Sequence, residues 1–389
     1  MTNRWAVLAL LFAARTIMGV QFQAVGSLGP GLTEVYSVGL AEIGTAIGLY
    51  FLPGVVIALP GSAIGARFGE RQVVAASLCL MALGGALMAV APDWPLFLTG
   101  QLVAGLGGIM LNILMTKMVA DWFEGHEIST AMAIFINSWP LGIALSLVVL
   151  PPAFQTFGLA AGFWGIAILS AVFAALVFSL YRAPTQQRAA PNPRALDRRE
   201  TLAAILSGAV WGLFNAGIAV IFGFGAAYLV EFGFELEEAG RRVSVVLWTT
   251  ALITPFGGWF ADRIGRRDML IAIGLVAMAV LTPLAGLLPG QLLVFIGLGF
   301  CIGAVAGAIM SLPAIALPLE ARAIGMGLFF VVYYASFVSS PILAGVLSEA
   351  LGTAAAAFYL GGAFHLSALV ALLGFGRVTM VNDTSAIKQ

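Results

Sequence analysis

The chain has 389 residues, of which 61% are hydrophobic and 9% are charged, and its mean hydropathy is +1.04. Charged residues make up about a quarter of an ordinary soluble domain, so this composition excludes a soluble globular protein and indicates an integral membrane protein. Eighteen basic residues balance eighteen acidic ones, so the net charge indicates no nucleic-acid partner. The two cysteines, Cys79 and Cys301, lie in apolar runs, which argues against a disulfide framework and against a metal site.

Long apolar runs recur throughout the chain. About 20 apolar residues cross a bilayer as a helix, and this rule predicts twelve spanning helices. We place them near residues 5–28, 41–61, 73–91, 95–119, 128–150, 158–181, 201–229, 240–260, 268–288, 291–313, 323–347 and 353–376. Residues 182–200 form the one long connection and contain three prolines and five arginines, which predicts a flexible polar linker.

The first span carries a basic residue at mid-membrane depth. Ten residues separate Trp5 from Arg15, and a rise of about 1.5 Å per residue places Arg15 roughly 15 Å deep. The apolar run leads straight into further spans, so we interpret it as a helix and not as a cleaved signal. No Asp or Glu lies deep in any predicted span, so we expect Arg15 to bind an anion. A structural arginine bonded to carbonyl groups at a helix end is the alternative.

Further mid-helix residues extend this candidate site. Gly19, Phe22 and Gln23 lie on or beside the helical face of Arg15, where small residues would allow close helix packing or leave room for a ligand. The other candidates for substrate binding are Asn112, Asn137, Trp211, Asn215, Tyr333 and Tyr334. Asn137 belongs to a segment that interrupts the fifth span and ends at Pro140. For each of the polar candidates, hydrogen bonding between helices is the competing explanation.

Two other titratable residues lie within predicted spans. Lys117 is close to the inner end of the fourth span and is followed four residues later by Asp121, so we expect it to reach the cytoplasmic surface or to pair with that carboxylate. His365 lies midway along the twelfth span. We interpret it as a hydrogen-bonded histidine on a peripheral helix.

Basic residues are distributed unevenly between the two sides of the predicted spans. With the N-terminus in the cytoplasm, fifteen of the eighteen Lys and Arg residues fall on the cytoplasmic side. Arg15 lies within the membrane, and Arg241 and Arg242 fall on the other side. The positive-inside rule therefore predicts that both termini are cytoplasmic.

A short polar segment occurs twice in the chain. Between the eighth and ninth spans, Gly258 to Arg267 reads G-W-F-A-D-R-I-G-R-R, and a weaker copy begins at Ser62, 196 residues earlier. The same offset aligns Glu42 with Glu238 and Gly44 with Gly240. It also aligns Arg15 with Trp211, and Asn137 with Tyr333. Matches at one fixed offset predict two homologous halves, and corresponding positions in repeated halves tend to face the same central axis.

The segment G-x-x-x-D-R-x-G-R-R resembles the signature of the major facilitator superfamily. The resemblance implies an all-α membrane protein with twelve helices in two six-helix bundles, residues 1–181 and 201–389, joined by a cytoplasmic linker of residues 182–200. It also implies a central substrate cavity and a gating role for the turn. In this chain the gating residues would be Ser62, Arg67, Gly69, Arg71, Gly258, Asp262, Arg263, Gly265, Arg266 and Arg267. The first copy departs from the pattern, with Ala66 at the acidic position and Glu70 at a basic one.

Three segments carry a closer resemblance: Arg15–Pro30, Leu111–Phe123 and Ile136–Leu150. They are similar to the cyanate-porter branch of the superfamily, which includes bacterial nitroimidazole transporters. The glycine-rich signature of the more distant nitrate carriers is missing. The resemblance implies secondary active transport of a small anion or small polar organic solute, cyanate-like or an organic anion, and Arg15 independently points to an anion.

Two other functions remain open at this stage. An exporter of neutral or apolar drugs is favoured by the 27 phenylalanines, and a non-transporting membrane sensor could keep the same fold. We expect no enzymatic activity, because no His, Asp, Glu and Cys constellation could build a catalytic site. No phosphate-binding G-x-x-x-x-G-K-[ST] segment supports direct ATP coupling. We expect no cofactor and no metal, and a monomer in the bacterial inner membrane whose partners are the lipid bilayer and a small solute.

Overall fold

The computed structural model describes residues 3–123, 127–184, 194–264, 266–318 and 320–386, and these residues form helices and connections without a β-strand. The helices are α1 (Arg4–Ser27), α2 (Gly29–Tyr36), α3 (Leu40–Leu49), α4 (Leu52–Ile57), α5 (Gly61–Phe68), α6 (Glu70–Val90), α7 (Trp94–Trp122), α8 (Ile128–Ile136), α9 (Ser138–Phe157), α10 (Leu159–Leu180), α11 (Arg198–Glu231), α12 (Leu236–Ile264), α13 (Arg267–Leu287), α14 (Leu292–Met310), α15 (Leu312–Ala316), α16 (Arg322–Leu351) and α17 (Ala355–Ala386).

Within the described ranges, eleven stretches of helix are long and apolar enough to cross a membrane. Two of them combine consecutive helices, α3 with α4 and α8 with α9. The 29-residue α12 takes the place of the eighth predicted span and brings the number to twelve. The all-α, twelve-span prediction is therefore confirmed.

Local sequence explains where several of these helices begin and break. The side chain of Asn3 accepts a hydrogen bond from the Trp5 backbone N–H, and the side chain of Asp93 accepts one from the Leu96 backbone N–H. Such bonds are expected of residues that cap helix starts. The second span breaks just before Pro53, and the fifth breaks at Asn137, three residues before Pro140. The eight-residue α2 was not predicted from the sequence, because it is too short to span and lies in a connection.

The helices form two bundles, α1 to α10 and α11 to α17. In the first, α6 packs on α7 and α10, and α1 packs on α9; in the second, α12 packs on α14 and α11 packs on α17. We call the membrane face at which α1 begins the N-terminal face and the opposite one the distal face. Consecutive spans alternate in direction, so α3, α12 and α14 run from the distal face toward the N-terminal face.

The bundles touch through two equivalent contacts near the distal face. Gly44 on α3 packs so tightly on α16 that an added Cβ would lie 2.1 Å from the Pro341 carbonyl oxygen. Gly240 on α12 packs on α9, and its added Cβ would lie 2.1 Å from the Leu147 carbonyl oxygen. These are the two glycines that the 196-residue offset aligns, so the duplicated halves use the same position to hold each other.

Hydrogen bonds reinforce the distal contact. Ala41 at the start of α3 donates its backbone N–H to Glu349 on α16 at 3.1 Å. Gln23 on α1 donates its side-chain amide to the Phe222 carbonyl of α11 at 2.8 Å. Both bonds join the two bundles, so separating the bundles at the distal face requires breaking them.

Candidate functional site

A cavity of about 170 Å³ lies between the two bundles. Its walls come from α1, α7, α8, α9, α11, α12, α14 and α16, together with the connecting residues Phe51 and Asn137. Eight of the ten residues predicted to bind substrate line it: Arg15, Phe22, Asn112, Asn137, Trp211, Asn215, Tyr333 and Tyr334. Their roles stay a prediction, but the structure brings them together around one space.

Side-chain exposure shows on which side the cavity opens. On α1, Arg15 is partly exposed, whereas Phe22, two turns closer to the distal face, is 3% exposed. On α12, Leu247 is 3% exposed and Thr254, nearer the N-terminal face, is partly exposed. Ile136, at the rim formed by α8, is 46% exposed. The cavity is therefore reached from the N-terminal face.

Arg15 is held by the break between α8 and α9. Its Nη1 donates to the carbonyl oxygens of Phe135 at 3.0 Å and Ile136 at 3.2 Å, and to the Ser138 hydroxyl at 3.1 Å. Pro140 has no N–H to donate to the carbonyl of Ile136 four residues earlier, so the break leaves an acceptor for the guanidinium. The sequence-based alternative of an arginine bonded to helix-end carbonyls thus describes these contacts correctly.

Arg15 is nevertheless not fully satisfied by the protein. Its Nε donates to Asn112 Oδ1 at 2.9 Å, and its guanidinium lies 4.8 Å from the centre of the Phe135 ring. Within the described ranges no carboxylate pairs with it, and its Nη2 makes no hydrogen bond. The carbonyl groups orient the cation without neutralising it, so the site retains a positive charge and two N–H groups for a ligand.

The second bundle contributes aromatic and amide groups opposite Arg15. The Trp211 and Tyr333 rings lie 6.2 Å apart, and Asn215 donates its side-chain amide to the Trp211 carbonyl at 2.8 Å. Asn112 Nδ2 lies 3.5 Å from the Tyr334 hydroxyl. Asn112 therefore contacts Arg15 with one end of its amide and approaches the second bundle with the other.

A cluster of aromatic rings closes the cavity toward the distal face. Phe22 stacks on Trp139 with 5.1 Å between ring centres, and Phe51 lies 4.3 Å from Phe337 on the other bundle. Phe22, Phe51 and Phe337 are all buried. These rings separate the cavity from the tight distal contacts of α3 and α9.

Gly19 and Gln23 do not line the cavity. An added Cβ on Gly19 would lie 2.8 Å from the Trp139 carbonyl oxygen, so this glycine serves close packing of α1 on α9. Gln23 is buried and uses its side-chain amide to contact α11. The helical-face argument located both residues on α1 but could not tell which neighbouring helix covers them.

Several cavity residues were missed, and the repeat offset would have found some of them. Met18 and Phe214 are 196 residues apart, as are Phe22 and Ile218, and Phe51 and Leu247, and all of these line the cavity. Arg15 and Trp211 also line the cavity and are related by the same offset, as are Asn137 and Tyr333. The cavity thus lies on the pseudo-symmetry axis of the repeat. Thr250 and Thr254 also line it without a signal of this kind.

The motif residues lie away from the cavity. Gly69 has a φ of +84° and separates α5 from α6. The guanidinium of Arg67 lies 5.4 Å from the Phe68 ring, and that of Arg71 lies 5.0 Å from the Phe178 ring on α10. In the second copy, Arg263 lies in the last turn of α12 and the pair Arg266–Arg267 lies at the start of α13.

Part of the motif lies outside the described residues. Gly265 is one such residue, and the side chains of Ser62 and Asp262 and the surroundings of Gly258 are likewise outside the description. The gating role of the motif therefore stays a prediction.

The two other titratable residues have structural partners. Lys117 pairs with Asp121 at 2.7 Å and with Glu70 at the start of α6. His365 is buried against Gly217 of α11, and its Nδ1 lies 3.3 Å from the Thr282 hydroxyl. Neither residue lines the cavity.

Comparison with known proteins gives the same fold. A family model described as the Major Facilitator Superfamily matches residues 11–240 and 201–386. The 3-(3-hydroxy-phenyl)propionate transporter of Escherichia coli is 26% identical over 89% of this chain and 87% of its own. The cyanate transport protein CynX of Escherichia coli is 24% identical over 64% of this chain and 65% of its own. The inward-open structure of the xylose transporter XylE superposes with a TM-score of 0.78 at 13% identity, covering 97% of this chain and 96% of the other.

Proposed function

Because the chain belongs to the major facilitator superfamily, we propose that it is a secondary transporter that carries a small organic anion across the bacterial inner membrane. The two bundles, residues 1–181 and 201–389, would rock about the central cavity and expose it to each side in turn. Residues 182–200 would link them in the cytoplasm.

The observation that carries this proposal is the charge of Arg15 in the cavity wall. Among the residues that the structure describes, it is the only charged one in the lining of the cavity, and no carboxylate among them neutralises it. A partly desolvated guanidinium with free N–H groups favours a ligand that brings a negative charge and oxygen acceptors. The names of two relatives agree, since 3-(3-hydroxy-phenyl)propionate and cyanate are both anions.

The distribution of basic residues supports a cytoplasmic N-terminal face. Arg4, Arg67, Arg71 and Lys117 all lie at helix ends on this face, and the linker carries five more arginines. The positive-inside rule assigns such a face to the cytoplasm. On this assignment the structure has its cavity open to the cytoplasm and closed to the outside.

An exporter of neutral or apolar compounds is the second candidate. Nine of the 25 residues that line the cavity are Phe, Trp or Tyr, and such walls also suit an uncharged apolar ligand. The two candidates differ in what Arg15 contributes. For an uncharged ligand, replacing Arg15 with an uncharged residue would leave affinity unchanged or raise it.

Flux measured in proteoliposomes tests the proposal. We expect saturable flux of labelled organic anions at pH 7.5, competed by unlabelled anions and lost in Arg15→Gln, with protein-free liposomes correcting for passive permeation. Competition by neutral apolar compounds alone would favour the exporter. An absence of flux for both classes would favour a sensor that keeps the fold.

A further inference from the structure

We infer that the cavity selects monocarboxylates built on an aromatic ring, in preference to multiply charged acids and to inorganic anions of a few atoms. This inference rests on the proposed function, because it names the class of anion that the same site takes. It follows from the charge, the walls and the size of the cavity.

The charge of the site fits one carboxylate. Arg15 is the one charged residue among the described residues that line the cavity, and its Nε and Nη1 already donate hydrogen bonds to protein oxygens. The remaining Nη2 can donate to one carboxylate group. A second or third carboxylate on the same ligand would lose its hydration without a cation to compensate it.

The walls of the site fit a flat ring. Nine aromatic side chains line the cavity and come from both bundles, with Trp139 in the first and Trp211 and Tyr333 in the second. Aromatic rings attract one another in offset-stacked and edge-to-face arrangements beyond the area that they bury. A saturated ring of similar size buries comparable area but lacks this additional attraction.

The volume of the cavity also fits a ring that carries a carboxylate. A cavity of about 170 Å³ is close to the engineered cavity of about 150 Å³ that holds a benzene molecule. A three-atom anion would leave most of the aromatic wall without contact atoms, and that lost contact would reduce its affinity. A ring with a short carboxylate arm fills the space between the aromatic wall and Arg15.

One polar group favours a substituted ring. The Tyr333 hydroxyl makes no hydrogen bond within the described ranges, although its ring lies in the cavity wall. A phenol can donate to and accept from a ligand. We therefore expect a hydroxyl group on the ring to raise affinity in the wild type and to lose that advantage in Tyr333→Phe.

Equilibrium binding to the purified wild-type protein tests the inference. The probes are benzoate with cyclohexanecarboxylate, phenylacetate with cyclohexylacetate, the uncharged benzyl alcohol, citrate and cyanate. We expect at least one aromatic acid to bind tenfold or more tightly than its saturated partner. Benzyl alcohol, citrate and cyanate should bind more weakly than either member of that pair.

The outcomes separate this inference from the proposed function. If citrate or cyanate binds more tightly than every aromatic acid, or if the saturated acids match the aromatic ones, the inference is wrong while anion binding stands. If no anion binds, the proposed function fails with it.

A pair of variants connects the selectivity to the cavity wall. Trp211→Leu should bring the affinity ratio between aromatic and saturated acids close to one. The control is Trp164→Leu, because Trp164 lies on α10 outside the cavity and is 43% exposed. An unchanged ratio in Trp211→Leu and also in Tyr333→Leu, with both proteins folded, would overturn the assignment of the ring to this wall.

Discussion

Replacing Gly44 or Gly240 with alanine should open the distal face. An added Cβ at either position would lie 2.1 Å from a backbone oxygen, where ordinary contact begins at 3.4 Å. The helices must therefore separate by about 1.3 Å at that point, the difference between these two distances. The neighbouring atom is a carbonyl oxygen in a helix, so it cannot rotate away as a flexible side chain could.

The magnitude follows from the cost of overpacking, about 1–3 kcal/mol for an extra buried group. This cost falls only on the state in which the distal face is closed, so the ratio of distal-closed to distal-open molecules should fall about 5-fold to 150-fold. Flux should fall in either variant, because alternating access requires both states. Combining both substitutions should shift the equilibrium further.

Distance measurement by pulsed electron paramagnetic resonance can follow this change. Spin labels at Val35 and Leu351, which are 54% and 62% exposed, report the separation of the bundles at the distal face. Cys79 and Cys301 are replaced in this background. Gly165→Ala is the matched control, because its Cβ would meet nothing within 4 Å. An unchanged distance distribution together with unchanged flux in Gly44→Ala would refute the reasoning.

Three further predictions concern other parts of the chain. Pro140→Ala should restore a backbone donor for the Ile136 carbonyl and weaken anion binding by about 1 kcal/mol, roughly the value of one hydrogen bond. A titration of the purified variant measures this loss, and an unchanged affinity would show that the break between α8 and α9 does not position Arg15. A cysteine at position 117, in place of Lys117, should react with a membrane-impermeant thiol reagent from the cytoplasmic side alone, and labelling from outside would contradict the assigned orientation. Asp262→Asn should slow flux and leave anion affinity within a few fold, whereas a parallel loss of affinity would place Asp262 in the binding site.

The fold was predictable because the bilayer imposes a length on each span. Twelve apolar runs and a motif repeated at a fixed offset identified the fold class. The break at Asn137 was also visible, because Asn, Ser and Pro interrupt an apolar run. The short helix α2 and the continuation of α17 to Ala386 were not predictable, because neither segment has an apolar pattern of span length.

The candidate site was predictable only for features that the positions of residues along a single helix determine. The depth of Arg15 follows from counting residues, and its lack of a carboxylate follows from the composition of the spans. Its bonds to Phe135 and Ile136 depend on where the end of α8 packs against α1, which no local pattern encodes. The same limitation explains why Gly19 and Gln23, on the correct part of α1, contact α9 and α11 and not the cavity.

The affinity of purified Arg15→Gln for an organic anion that the wild type binds tests the central claim most directly. Isothermal titration calorimetry should show a loss of roughly 2–5 kcal/mol, which corresponds to a Kd increased about 30-fold or more, because the anion loses a desolvated charge partner. Arg15→Lys should recover only part of the affinity, because an ammonium cannot reproduce the planar guanidinium. The comparison requires that the variants elute and melt like the wild type. An unchanged Kd in such a folded Arg15→Gln protein would contradict the claim and leave Arg15 as a structural link between α1 and α8.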